Sequence, residues 1–131
     1  DDTNYENIFR IENNTEPTII ENHSEQVFTA VEQMPQFPGG DAALMKFISN
    51  NINYPQEAYQ NGIQGRIIVQ LVVKSDGSVG DVKVIRSVDA SLDREAIRVC
   101  KSLPNFTPGR MNGKAVNVWY KLPITFKLQG S

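Results

Sequence analysis

The stretch from Gly65 to Ser87, GRIIVQLVVKSDGSVGDVKVIRS, decides how the rest of the chain is read. Ile67, Val69, Leu71 and Val73 alternate with Arg66, Gln70 and Lys74, and Val82 and Val84 alternate with Asp81, Lys83 and Ile85. A side-chain period of two predicts a pair of strands. Between them, Ser75-Asp76-Gly77-Ser78 is a reversal, because glycine takes the positive φ of a tight hairpin turn without steric cost. Ile68 and Val72 add apolar groups to the nominally polar face of the first strand, so that strand is expected in the middle of a sheet.

Working outward, Val88 to Leu103 turns helical. Leu92, Ala96, Val99, Cys100 and Leu103 recur on one face, and Asp93, Arg94, Arg98 and Lys101 take the other, solvated one. Pro104 closes this helix. After a turn-rich connector, Asn105 to Gly113, the stretch Lys114 to Leu128 alternates again and reads as a last strand interrupted by Pro123. Proline cannot donate to a ladder, which places the strand at a sheet edge or ends it there. The crossover helix makes the second and last strands run the same way. Setting the last strand antiparallel to the first gives the spatial order 2-1-3. Upstream, a helix is expected from Asp41, capped by its carboxylate, with Leu44, Phe47, Ile48 and Ile52 as the apolar stripe. Tyr54-Pro55 starts a short helix through Tyr59, and Gly62 is its left-handed cap. The expected fold is α+β: a small antiparallel three-stranded sheet, order 2-1-3, packed against two helices.

With 131 residues the chain has the length of one domain plus a tail. Residues 1 to 36 hold eight acidic residues against one basic, and the remainder holds twelve basic against seven acidic. An acidic leader therefore precedes a basic body. The leader, residues 1 to 36, reads as flexible linker, since its isolated apolar residues bury too little to offset ordering entropy. Within it Val27 to Val31 (VFTAV) is a candidate short strand at a sheet margin. Residues 37 to 131 form the folded domain. His23 stands in the leader without a thiol in reach, so it gives no metal or catalytic site. Cys100, the single cysteine, lies on an apolar helix face and reads as a buried small hydrophobe. The single histidine lies in the leader rather than in the folded domain, and no phosphate loop occurs, so no enzyme and no cofactor are expected.

Tyr54-Pro55, Ala58, Gly62-Ile63-Gln64-Gly65, Asp76-Gly77-Ser78-Val79, Ser87, Leu92-Asp93, Glu95-Ala96, Phe106-Thr107-Pro108-Gly109, Val116 to Tyr120 and Pro123-Ile124-Thr125-Phe126 follow one another in an order and spacing that resembles the C-terminal domain of the TonB family of energy transducers. The Met34-Pro-x-Phe-Pro-Gly-Gly40 lead-in is similar to the version found in Bacteroidota. The resemblance covers roughly Phe37 to Gln129. It implies a periplasmic domain that catches the TonB box of outer-membrane receptors by strand addition and transmits energy derived from the proton-motive force. It also implies an inner-membrane helix and contacts with ExbB and ExbD through a region upstream of this stretch. The caught segment is expected alongside the last strand, at Ala115, Val116, Asn117, Val118, Trp119, Tyr120 and Lys121, and near the Tyr-Pro region, at Asn51, Asn53, Tyr54 and Pro55.

An exposed edge suits that role, because backbone bonds give affinity with little sequence demand. It also leaves room for a weak homodimer. Two other readings compete. The same domain on a membrane peptidase-type sensor would recognise an envelope signal. A basic body carrying Trp119, Tyr120 and Phe126 superficially suits a single-stranded nucleic acid, but the hairpin face is aliphatic and lacks the adjacent strand aromatics of base-stacking platforms, so no nucleic acid is expected.

Overall fold

The computed structural model describes residues 26–128. In chain order the elements are β1 (Val27–Phe28), α1 (Asp41–Asn51), α2 (Gln56–Gln60), β2 (Gly65–Val73), β3 (Val79–Arg86), α3 (Ala90–Lys101), β4 (Gly109–Met111) and β5 (Lys114–Phe126). Strand order is β1-β5-β2-β3, with β4 also paired to β5. The three long strands lie in the succession β3-β2-β5, but the sheet has five strands rather than the three expected. Both additions pair with β5. The leader reading of residues 1 to 25, including His23, falls outside the described residues, whereas Val27–Phe28 supplies one of the two added strands.

The central hairpin forms as its alternation dictates. Ile67, Val69, Leu71 and Val73 are fully buried on one face of β2. Its reversal is held by Gly77 N–H donating to Lys74 O at 2.7 Å and Lys74 N–H to Ser78 O at 2.8 Å. Gly77 sits at φ 89, and a Cβ there would lie 2.2 Å from the Phe106 carbonyl oxygen. Glycine is therefore needed twice over, for the turn and for the approach of the Phe106 segment.

All three helices lie on the face of the sheet that carries this core. Leu92, Ala96, Val99 and Cys100 of α3 and Leu44 and Ile48 of α1 join Leu122, Ile124 and Phe126 of β5 in one cluster. At roughly 25 cal/mol per Å², each such side chain contributes about 1.5–3 kcal/mol on burial. Asp89 caps α3, its carboxylate accepting from Ser91 N–H at 3.0 Å. That hydrogen bonding with Ser91 holds the Asp89 carboxyl below its usual range. α1 is different: its N-cap is Gly40, at φ 87, with no side-chain cap, and Asp41 is the first helical residue rather than the cap. The two preceding prolines and the Gly39-Gly40 pair set the entry, and Asp41 acts through the dipole of the first turn.

The helix-free face of the sheet is lined by Ile68, Gln70 and Val72 of β2 and Trp119 of β5, which is the ladder partner of Val72. Lys83 from β3 places its ammonium 5.1 Å from the Trp119 ring centroid. Trp119 is therefore half-covered by its own sheet, through a cation–π contact.

Candidate strand-accepting edge

β5 is thirteen residues long and runs straight through Pro123. On its inner edge it pairs antiparallel with β2 from Val118↔Val73 to Phe126↔Gly65, in unbroken register. Pro123 lies opposite Ile68 within that run. In an antiparallel pair each residue turns its N–H and C=O either both toward the partner or both away. A residue without an N–H sits in an intact ladder only at a position turned away. The odd-numbered residues of β5 therefore present their backbone groups outward: Lys121 and Thr125 offer a donor and an acceptor, Pro123 an acceptor alone, and Trp119 its C=O, because its N–H serves the Phe28 carbonyl in the parallel pairing with β1. Proline does not end the strand, as one sequence reading allowed, because the missing donor falls on the unpaired side.

That outer side is not free along its whole length. β1 takes it at the start, pairing parallel as Val27↔Asn117 and Phe28↔Val118. Asn117 Nδ2 donates to Gln26 O at 3.4 Å, and Asn117 Oδ1 accepts from Ser75 N–H at 2.8 Å. Lys114, Ala115 and Val116 pair with β4 through Met111, Arg110 and Gly109 on the inner side, ahead of β2: both backbone groups of Arg110 are bonded to Gln33, so Lys114 and Val116, of the parity that faces β2, are the residues turned to β4. The edge expected to be open over Ala115 to Lys121 is thus engaged by β1 at Asn117 and Val118, and Val118 has a ladder partner on both sides. Beyond Val118, no strand among the described residues pairs with the outer edge up to Phe126. The reason is local: β1 is only two residues long, and the chain bends away at Thr29.

The second group of expected site residues lies at the other end of β5. The Tyr54 ring packs edge-on against Phe126 at 5.5 Å between centroids, and its hydroxyl donates to the Ile63 carbonyl. Asn53 N–H donates to Glu95 Oε2 at 2.7 Å, and Arg98 Nη2 donates to Asn51 O at 2.8 Å. Arg98 and Glu95 close a bridge of 2.6 Å, and the hydrogen bond from Arg98 holds the Glu95 carboxyl below the usual glutamate range. Arg98 therefore ties the α1–α2 joint to α3 instead of belonging to a purely solvated face. Pro55 is the N-cap of α2. Ala115 and Phe126 stand about 36 Å apart along the strand, so the two groups of residues do not meet at one point. They mark the two ends of a single edge.

Beside the open half of that edge, a groove of about 740 Å³ runs between α1 and β5. Met45 and Ile52 of the helix side and Pro123 of the strand give it apolar walls, and Lys46, Arg66 and Lys127 bring three cations and no carboxylate lines it. Tyr120, on the core face, has its hydroxyl pKa raised by burial and by the Asp41 carboxylate. Burial pushes the Cys100 thiol up to about 12, so it is not a nucleophile at neutral pH. Among the described residues no group of three or more His, Cys, Asp and Glu side chains could hold a metal ion.

A small α+β domain whose last strand is covered on its outer edge at Asn117 and Val118 and, among the described residues, has no strand on that edge beyond them defines the class of this chain. Residues 50–128 match the family described as Gram-negative bacterial TonB protein C-terminal, and the chain belongs to that family. It is similar to Protein TonB of Helicobacter pylori, 33% identical over 90 residues, covering 66% of this chain and 30% of that protein. It is also similar to Protein tonB2 of Pseudomonas aeruginosa, 32% identical over 76 residues, covering 57% of this chain and 28% of that one. Among solved structures it resembles the solution NMR structure of the Helicobacter pylori TonB C-terminal domain, with TM-score 0.51 and 27% identity over 69% of this chain and 95% of that one. The chain thus spans about a third of the length of these curated relatives.

Proposed function

We propose that this domain captures a short extended segment of an outer-membrane receptor, the TonB box, as an added strand on the outer edge of β5, and serves a periplasmic energy transducer rather than an enzyme. The observation that carries the reading is the vacant outer edge from Trp119 to Phe126 on a member of the TonB C-terminal family. The segment lies along Trp119, Tyr120 and Lys121 and runs toward Tyr54 and Pro55. It reaches Ala115 to Val118 only where β1 gives way. The energy comes through ExbB and ExbD, which engage a membrane-anchored region upstream of this stretch. None of the described helices is long and apolar enough to cross a membrane.

About four to six ladder bonds at roughly 0.5–1.5 kcal/mol net each must offset several kcal/mol of association cost, leaving an affinity of about micromolar order. Such a grip releases readily, which suits repeated visits to many receptors. A pull along β5 loads the ladder bonds together. The test is a calorimetric titration with a synthetic peptide copying the periplasmic N-terminal segment of a TonB-dependent receptor from the source bacterium. Saturable binding by that peptide, lost when prolines replace alternate residues of it, is expected. Equal binding of the proline-bearing peptide would remove strand addition as the mode.

A further inference from the structure

We propose that β1 is a built-in competitor for the strand-accepting edge, a two-residue plug that an arriving strand displaces; this rests on the strand-capture reading above. β1 occupies the outer edge of β5 at Asn117 and Val118, immediately before the vacant run that begins at Trp119. An external strand landing on the vacant run meets the carboxyl end of β1. To extend its pairing by even one residue toward Asn117, it must take the place of Phe28.

The plug is built to leave. Its ladder is two residues long and parallel, the less stable hand of pairing. Among the described residues, the one side-chain hydrogen bond to this segment is the long 3.4 Å bond from Asn117 Nδ2 to Gln26 O. Val27 and Phe28 are only half-buried, and Thr29 and Ala30 are exposed.

The next residues, by contrast, are clamped. Glu32 Oε1 accepts from Asn112 N–H at 2.8 Å, Gln33 and Arg110 exchange backbone bonds of 3.2 and 2.9 Å, and Gln36 and Thr107 exchange bonds of 3.0 and 2.8 Å. Phe37 is buried, with its ring 5.3 Å from that of Phe106. The break between weak and strong attachment falls at Thr29 to Val31. β1 can peel off about that hinge while residues 32 to 37 keep their places, so displacement exposes no core.

The experiment uses the full chain and the receptor peptide of the preceding section. Val27→Pro/Phe28→Pro removes the Phe28 N–H, the one donor of β1 that faces β5, and leaves β5 untouched. The peptide is expected to bind this variant about three- to tenfold tighter, because a competitor docked most of the time reduces apparent affinity by the undocked fraction. Val27→Cys/Asn117→Cys joins two ladder partners, and oxidation is expected to weaken peptide binding at least tenfold, with recovery on reduction. Cys100 is buried and does not enter this chemistry. Equal affinities in wild type, the proline variant and the oxidised pair, with the peptide still bound, overturn the plug and leave strand capture standing. Absence of binding to all three overturns strand capture, and the plug with it.

Discussion

Lys121→Pro tests the parity of β5, on which the whole edge argument turns. Lys121 is exposed, and its ladder partner on the inner side is Gln70. It has the same parity as Pro123, so its N–H points outward and donates nothing to β2. Proline at 121 should leave the core ladder intact and restrict Tyr120 to the extended region it already occupies. The expected change in stability is below about 1 kcal/mol, read from urea unfolding. Leu122→Pro, one residue on, strikes the opposite parity: it removes a bond to Val69 and empties a buried position, and should cost more than about 3 kcal/mol. For the receptor peptide the ranking is set by a different bond. Lys121→Pro deletes one outward donor, a net loss of about 0.5–1.5 kcal/mol, so the dissociation constant should rise by a factor of about 2 to 13. Lys121→Ala keeps the donor and removes only the charge, and separates the two contributions. If Lys121→Pro unfolds the domain as badly as Leu122→Pro, the parity is wrong. If it folds and binds peptide like wild type, the peptide pairs elsewhere.

Three further outcomes follow from the packing. Gly77→Ala places a Cβ 2.2 Å from the Phe106 carbonyl oxygen at a φ of 89, and should destabilise by more than about 2 kcal/mol in denaturant unfolding, with fraying of the 74–78 turn. The Glu95 carboxyl, held low chiefly by the hydrogen bond from Arg98, contributes stability above the ordinary glutamate pKa that is lost as pH falls through its depressed folded value. Urea midpoints followed from neutral down to about pH 3 should therefore show a flatter acid limb in Glu95→Gln than in wild type. Cys100, fully buried with its pKa pushed up to about 12, should resist a thiol reagent in the native state and react at the rate of unfolding once urea is added.

What the sequence made legible was whatever repeats with a period. The alternation of β2 and β3, the Asp76-Gly77 reversal and the apolar face of α3 are each local signals strong enough to stand without tertiary help. β4 went unread although its turn, Asn112-Gly113, is a strong two-residue hairpin signal, with both residues at positive φ. Its strand, Gly-Arg-Met, is too short and too polar to show alternation, so the stretch read as connector. The α1 cap was misassigned because Asp41 is a favoured capping residue and Gly40 is a weaker signal. For the candidate site, the alternation of β5 and the presence of Pro123 pointed to the right strand. Which part of it is bare was not readable. The run Val27 to Val31 shows a short strand at a sheet margin, but nothing in it tells that Val27–Phe28 pairs parallel with residues ninety positions away, and that pairing moves the open edge from Ala115–Lys121 to Trp119–Phe126.

Amide hydrogen exchange at single-residue resolution, with and without the receptor peptide, tests strand capture most directly. The account predicts that the Lys121 and Thr125 amides gain protection on peptide addition, that Tyr120, Leu122 and Ile124 stay as protected as before, and that the Phe28 amide loses protection. Protection gained instead along α3, from Ala90 to Lys101, with those two outward amides of β5 unchanged, would contradict it.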